Sequence, residues 1–180
     1  MSEKKTIWKK MLTLLLAIAL IFAVINLVWY VGVKLKYDEI EEKLSNCEIV
    51  KIFEVEEVGV LYGDCVIGVR HTSYLQNSGY VCVTDIKEFE PFINIEEGKE
   101  IINDDCSVTL MYWPQLFSED RYGIDITKNG TSEHIYVDKE GNFAPLEETD
   151  SELEDYANSL LDEYREEIDK LLATLKKLLS

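Results

Sequence analysis

The chain has 180 residues, 47% of them apolar, which is enough for one domain of ordinary size and one smaller element. Beyond residue 33 there are 34 acidic against 14 basic side chains, whereas residues 1–10 carry four lysines and one glutamate. The acidic part argues against nucleic acid as a partner, because phosphate binding requires a basic surface, and its many aromatic and β-branched residues argue against disorder.

Residues 11–33 form an uncharged apolar run, MLTLLLAIALIFAVINLVWYVGV, which predicts a transmembrane helix. A helix of this length spans about 35 Å, more than the roughly 30 Å hydrocarbon core of a bilayer. Trp8, Trp29 and Tyr30 lie near the ends of the run, where aromatic rings favour the level of the lipid headgroups. We therefore expect the lipid bilayer to be a partner through residues 11–33.

The lysines of residues 1–10 predict the orientation of this helix. Four lysines precede the run and only Lys34 and Lys36 follow it closely, a bias that places the N-terminus in the cytoplasm. The predicted localisation is the cell membrane, single-pass, with an extracytoplasmic C-terminal domain. The competing interpretation is a cleaved signal peptide, since residues 17–19 (Ala-Ile-Ala) have the spacing of a cleavage site. The apolar run continues for fourteen residues beyond them, which favours an uncleaved signal-anchor.

A short amphipathic stalk is predicted for residues 34–46. Its apolar positions recur at helical spacing and share one face, and Ser45-Asn46 marks its end. That face is made of Val33, Tyr37, Ile40 and Leu44. Four positions do not decide whether the stalk packs on the head or against a partner helix.

The pattern changes from helical to alternating over residues 48–144. Seven segments rich in Val, Ile and Tyr predict strands: EIVKIFEVE, VGVLYG, CVIGVR, GYVCVTDI, CSVTLMYW, YGIDIT and EHIYVD. Turn-forming residues separate them, and Asn129-Gly130 between two alternating strands is the clearest hairpin. Parallel strands need crossovers of a dozen or more residues, and none is evident, so we expect an antiparallel meander.

A long amphipathic helix is predicted for the last thirty residues, with apolar positions at a spacing of three to four from Leu153 to Leu179. Ser151 and Glu154 match a capping box, and acidic residues at its start with lysines at its end suit the helix dipole. We expect the apolar stripe to pack on one face of the sheet. The alternative is a coiled-coil seam with another subunit, which is less favoured because the stripe leaves a strict 3.5-residue repeat near residues 164–168.

The predicted fold class is therefore α+β, with an N-terminal transmembrane helix, a short helical stalk, an antiparallel β-meander head and a long C-terminal amphipathic helix packed on the sheet. The predicted domains are a cytoplasmic tail (residues 1–10), a transmembrane helix (11–33), a helical stalk (34–46) and an extracytoplasmic α+β domain (47–180).

Four cysteines follow the apolar run and are candidates for two disulfides in an oxidising compartment: Cys47, Cys65, Cys82 and Cys106. A hairpin folding near residues 56–57 would place Cys47 opposite Cys65 and leave Cys82 to pair with Cys106. The alternative is four reduced thiols that pack as small apolar side chains. Since no two cysteines lie within ten residues of each other, the spacing does not predict a metal site.

Signals for catalysis are weak. The sequence contains no P-loop, GxGxxG or HExxH motif. His71 falls in a predicted turn and His134 on a predicted exposed strand face, and neither accompanies a nucleophile elbow. Residues 138–142 (DKEGN) predict a β-turn rather than a calcium loop, because Gly141 is out of place and no glutamate closes the twelve-residue frame. We expect no catalytic residue, cofactor or metal.

Two features point to binding. The acidic head is expected to be a solvated surface, with a docking face for a cationic partner as the alternative. Tyr112, Trp113 and Phe117 set bulky aromatics beside Pro114 at a strand end, which makes them candidate partner contacts, although aromatics there also fill core edges. We therefore expect a single-pass membrane-anchored extracytoplasmic binding or accessory module of an envelope assembly, with another membrane or envelope protein as its partner. The alternative is a membrane-anchored envelope enzyme of unknown reaction.

Overall fold

The computed structural model describes residues 2–47, 49–52, 57–70, 79–85, 107–128 and 130–180. Helix α1 (Ser2–Leu44) comes first, and helices α2 (Ser151–Glu163) and α3 (Arg165–Leu179) come last. Between them lie the strands β1 (Ile49–Ile52), β2 (Glu57–Tyr62), β3 (Cys65–Arg70), β4 (Tyr80–Asp85), β5 (Ser107–Trp113), β6 (Arg121–Lys128) and β7 (Thr131–Val137). The predicted α+β class is confirmed.

The strands form one antiparallel sheet whose spatial order, β1 to β7, is their order in the chain. The predicted meander is therefore confirmed. At the β6–β7 hairpin Lys128 pairs with Thr131, and Gly130 lies in the turn between them. Gly130 there has φ of 73°, a conformation that glycine adopts without steric cost. Asn129 itself lies outside the described residues, as do His71 and Cys106.

Helix α1 runs without interruption from the apolar run into the head. Among the described residues it is the one helix long and apolar enough to cross a membrane, and its most apolar stretch is not buried against the rest of the chain. This is consistent with membrane anchoring. From Val33 onwards the helix packs on the head, since the four residues of the predicted stalk face are at most 4% exposed and belong to the same core as α3 and the sheet.

Two helices stand where the sequence predicted one. Tyr164 interrupts them with non-helical backbone angles (φ −110°, ψ 23°), within the segment where the apolar stripe loses its regular spacing. The interruption allows each helix to turn its own apolar side to the core. The side chains buried in this way are Ala157 and Leu161 of α2 and Ile168, Leu171, Leu172, Leu175 and Leu178 of α3.

The predicted cap of this helical region is wrong. Asp150, one residue before the predicted cap Ser151, is the N-cap of α2, and its carboxylate accepts a hydrogen bond of 2.9 Å from the Leu153 amide. Aspartate and serine cap helices about equally well in general. A carboxylate has the further advantage of opposing the positive end of the helix dipole.

The core lies between one face of the sheet and the helices α1 and α3. Ile67, Val83, Leu110 and Ile124 form a cross-strand row on this face, and all four are completely buried. Helix α3 contacts β4 and β5, as expected for an apolar stripe that packs on the sheet. Polar contacts secure the arrangement at two places. The Lys170 ammonium lies 2.5 Å from the Asp85 carboxylate, and the Lys43 ammonium donates to the Leu178 carbonyl at 2.8 Å.

Candidate functional site

Among the described residues of the head, few large apolar side chains are exposed, and three of them lie together. Outside α1, the large hydrophobic residues exposed in the described part of the chain are Phe117, Leu146, Leu153, Tyr156 and Leu179. Leu146, Leu153 and Tyr156 are each about half exposed, and all three line one groove. Single exposed apolar residues are common on soluble proteins, whereas apolar residues gathered in one concave place mark interaction sites.

This groove, which we call the β7 groove, lies between strand β7 and the beginning of α2 and has a volume of about 350 Å³. Its lining comes from β7, from the segment that leads to α2 and from α2 itself. The residues are Glu133, His134, Ile135, Tyr136, Phe143, Pro145, Leu146, Glu147, Thr149, Leu153, Tyr156 and Ala157. Two of these residues are acidic and none is a lysine or arginine, so the groove combines a largely apolar lining with a net negative charge.

The turn at residues 138–142 positions the segment 143–149, which contributes to the lining of the groove opposite β7. After β7 the chain reverses, and the Ala144 amide donates to the Tyr136 carbonyl at 3.0 Å. Gly141 has φ of 81°, and a Cβ atom at this position would lie 2.8 Å from the side chain of Leu172 on α3. The turn therefore packs directly on α3, and the predicted β-turn is confirmed.

The carboxylate of Asp138 organises this turn. It accepts hydrogen bonds of 2.9 Å from the backbone amides of Glu140 and Asn142. Although desolvation raises the pKa of Asp138, these hydrogen bonds outweigh it, and the pKa lies below its usual value. Within the described residues, no group of three or more His, Cys, Asp or Glu side chains is placed to hold a metal ion.

Strand β7 presents an open edge to the groove. Because the Tyr136 carbonyl accepts from Ala144, the backbone groups of Tyr136 point away from β6. Backbone groups alternate in direction along a strand, so those of His134 and Ser132 point outward as well. In the described part of the chain, β7 is the last strand of the sheet, and its outer side carries only the isolated bridge between Val137 and Phe143. The edge from Ser132 to His134 is therefore open to a further strand.

An aromatic cluster borders the groove on the sheet face opposite the helices. The His134 ring contacts Tyr136 edge-on with centroids 4.7 Å apart, and it contacts Trp113 at 5.8 Å. Gly123 makes room for it, since a Cβ there would lie 2.7 Å from the His134 ring. The imidazole Nδ1 pairs with the Asp125 carboxylate. The predicted alternation of β7, with His134 and Tyr136 opposite the buried Ile135 and Val137, is confirmed.

The three predicted partner contacts do not share a surface. Tyr112 is buried on the helical face of the sheet, and burial together with the nearby Asp120 raises the pKa of its hydroxyl. Trp113 points to the opposite face, because successive strand residues do so, and joins the aromatic cluster. Phe117 lies in the loop that follows β5 and is 68% exposed.

Asp120 holds this loop, residues 114–120, in place. Its carboxylate accepts from the Gln115 amide at 2.6 Å, the Tyr112 hydroxyl at 2.7 Å and the Lys36 ammonium at 2.9 Å. Although partial burial raises the pKa of Asp120, the three hydrogen bonds together lower it below its usual value. Since Lys36 belongs to α1, this carboxylate joins the loop to the first helix.

Cys47 and Cys65 are free thiols. The expected Cys47–Cys65 pairing is wrong in its premise, because β2 lies between the segment that carries Cys47 and strand β3, which carries Cys65. Cys65 is buried, with its Sγ atom 3.5 Å from the Thr174 hydroxyl, and burial raises the pKa of its thiol. Cys65 thus packs as a small apolar side chain, whereas Cys82 lies on the other face of the sheet beside Gly68.

The β7 groove was not predicted from the sequence. Leu153 was counted with the core stripe of the last helix, yet it is half exposed at the groove. Neither a family model, nor a curated protein, nor a solved structure matches this chain. Its function is therefore inferred from its own residues.

Proposed function

We propose that this protein is a single-pass membrane-anchored extracytoplasmic binding module of an envelope assembly, and that its β7 groove binds an extended segment of a partner protein. The observation that carries this proposal is an open strand edge beside three half-exposed apolar side chains in one groove. An extended peptide adds to such an edge as a further strand. Its backbone hydrogen bonds supply affinity, and its alternate side chains enter the groove and supply specificity.

Anchoring by α1 is supported by what a cleaved chain would expose. Cleavage after Ala19 would leave eight strongly exposed apolar side chains in water: Leu20, Ile21, Phe22, Val24, Ile25, Leu27, Val28 and Val31. The same helix enters the core at Val33, so this stretch cannot separate from a folded head. A bilayer covers such a surface, whereas a soluble protein that carried it would aggregate.

The lysines of residues 1–10 support a cytoplasmic N-terminus and an extracytoplasmic head. Protease added to intact cells, or to spheroplasts where a wall intervenes, should digest the head and spare residues 1–10. A head that is protected until the membrane is broken would overturn this orientation. A soluble mature protein that begins near Leu20 would instead establish a cleaved signal peptide.

The partner segment is expected to combine alternating apolar side chains with lysine or arginine. Glu133 and Glu147 line the groove without a basic neighbour in the lining, and the chain beyond residue 33 carries a net charge of −20. A negative field of this kind steers basic segments towards it and repels acidic ones. Each exposed ion pair adds only about 0–1 kcal/mol, so charge selects the partner while apolar contacts and backbone hydrogen bonds hold it.

Site-specific photo-crosslinking in intact membranes tests the proposal. A photoreactive residue at Tyr156 should capture a partner segment whose sequence, identified by mass spectrometry, alternates apolar residues and is rich in Lys or Arg. The same residue at Asp162, on the exposed side of α2, is the matched control and should not capture it. His134→Pro removes an outward amide of β7 without removing a hydrogen bond to β6, and it should abolish capture.

His134→Ala is the control for the proline substitution, because it removes the same imidazole and keeps the amide. Capture should survive in this variant. If His134→Pro and His134→Ala behave alike, or if capture from Tyr156 and Asp162 is equal, strand addition at β7 is refuted.

One observation favours the second candidate, a membrane-anchored envelope enzyme. His134, which lines the groove, is paired with the Asp125 carboxylate, an arrangement that orients an imidazole as a general base. In the described part of the chain its hydrogen-bonded and ring contacts are Asp125, Trp113 and Tyr136, and no serine or cysteine is among them. Labelling of the protein by a fluorophosphonate probe that is lost in His134→Ala would favour the enzyme.

A further inference from the structure

The loop of residues 114–120, here the β5–β6 loop, meets α1 at the end of the apolar run. Leu116 packs against Gly32, where an added Cβ would lie 2.6 Å from both Cδ atoms of the leucine. Only glycine allows the loop to approach the helix this closely. Since Gly32 is the second-last residue of the run 11–33, the loop lies at the level where the membrane-spanning segment ends.

Charged hydrogen bonds hold the loop at this level. Lys36, one helical turn beyond Gly32, donates to the Gln115 carbonyl at 2.6 Å and to the Asp120 carboxylate at 2.9 Å. Asp120 accepts in addition from the Gln115 amide. The position of the loop relative to the membrane-spanning segment is thus set by both packing and hydrogen bonding.

Phe117 is the exposed residue of this loop. With 68% of its surface exposed, it is the one exposed large hydrophobic side chain between Leu35 and Leu146 in the described part of the chain. It follows Leu116 directly, and Trp29 and Tyr30 lie one helical turn or less before Gly32. A phenyl ring in water is unfavourable, whereas aromatic rings at the level of lipid headgroups are favoured.

We infer that the β5–β6 loop is a membrane-contact element in which Phe117 enters the headgroup region of the bilayer beside α1. This inference rests on the proposed anchoring by α1. The head is then attached to the bilayer at two points, which restricts rotation of the head about the helix axis and its tilt away from the surface. The contact is apolar rather than electrostatic, because Glu119 and the negative charge of the head disfavour anionic lipid.

Tryptophan quenching in the full chain tests this inference. Phe117→Trp is reconstituted into phosphatidylcholine vesicles whose acyl chains are brominated near the headgroup. The additional emission of this variant, relative to the unsubstituted protein, should be blue-shifted and quenched by the brominated lipid. Aqueous iodide should quench this additional emission little, and raising the salt concentration should not change its quenching by the brominated lipid.

Two of the three tryptophans already present, Trp8 and Trp29, separate the two ways in which the experiment can fail. In a Trp113→Phe background, emission from Trp8 and Trp29 that brominated lipid does not quench would refute anchoring by α1 itself. If these two are quenched while the added tryptophan at position 117 emits as in water, anchoring stands and the loop contact is refuted. Quenching at position 117 that requires anionic lipid would refute an apolar contact.

Discussion

Replacement of Ile40 by alanine tests whether the last turns of α1 belong to the head. Ile40 is 2% exposed and shares a core with α3 and the sheet. Its truncation should lower the free energy of unfolding of the head by about 2–5 kcal/mol, the usual cost for a buried isoleucine. Leu35 lies on the same helix and is 57% exposed, so Leu35→Ala is the matched control and should change the value by less than about 0.5 kcal/mol.

The stabilisation of the head by the whole apolar face at the end of α1 can be estimated in the same way. At about 1.5–3 kcal/mol for each large apolar side chain, Val33, Tyr37, Ile40 and Leu44 contribute roughly 6–12 kcal/mol before the entropy of ordering is subtracted. Domains of this size have a net stability of about 5–15 kcal/mol. A truncated protein that begins at residue 47 lacks all four side chains and should unfold or aggregate, whereas one that begins at residue 34 keeps three and should be more stable.

Urea unfolding followed by near-ultraviolet circular dichroism gives these free energies. The full chain and its substituted forms are measured in lipid nanodiscs, and the truncated proteins, which lack residues 11–33, are measured in solution. Two results would refute the reasoning. The first is that Ile40→Ala and Leu35→Ala unfold at the same urea concentration. The second is that the protein beginning at residue 47 is as stable as the one beginning at residue 34.

Three further substitutions test individual contacts by urea unfolding. Gly68→Ala should lower the free energy of unfolding by about 1–3 kcal/mol, because the new Cβ would lie 2.5 Å from the Cys82 Sγ atom. The same substitution in a Cys82→Ala background should change it little, and an equal decrease in both backgrounds would exclude this contact. Lys170→Met removes the ammonium group beside the buried Asp85 carboxylate and should lower the free energy of unfolding by about 3 kcal/mol. Lys170→Arg keeps a positive charge, so a Lys170→Arg protein no more stable than Lys170→Met would argue against the ion pair. Because the pKa of Asp120 is lowered in the folded state, its carboxylate adds stability that is present at neutral pH and lost as the pH falls below about 4. Asp120→Asn should therefore be less stable at pH 7, and its free energy of unfolding should depend less on pH in the acid range. Identical curves of stability against pH for the two proteins would contradict this role.

The elements that depend on local pattern were predictable from the sequence. Strand β7 is an example, because Ile135 and Val137 alternate with His134 and Tyr136, and this period of two places one pair in the core and the other on the opposite face. The end of α1 near Ser45 and the turn at Gly130 have equally local signals. In each case the residues that carry the signal are neighbours in the chain.

The features that depend on tertiary approach were not predictable in this way. The β7 groove forms where α2 passes the edge of the sheet, and nothing local to Leu153 distinguishes a groove position from a core position. Asp120 is one of 35 acidic residues, and its role depends on Lys36, which lies 84 positions earlier in the chain. The position of Cys47 relative to Cys65 was not predictable for a related reason, since it depends on strand β2, which lies between the segments that carry them.

The continuous helix also limits where the proposed partner can be. No linker separates the apolar run from the core within α1, and the twelve residues from Val33 to Leu44 rise about 17 Å in total. With the anchoring proposed above, the head that carries the β7 groove follows the membrane helix directly, so we expect the segment that binds the groove to come from a protein in or near the same membrane. Two partners confined to one membrane meet at high effective concentration. A groove of about 350 Å³, which by itself supports only modest affinity, would then suffice for the proposed association.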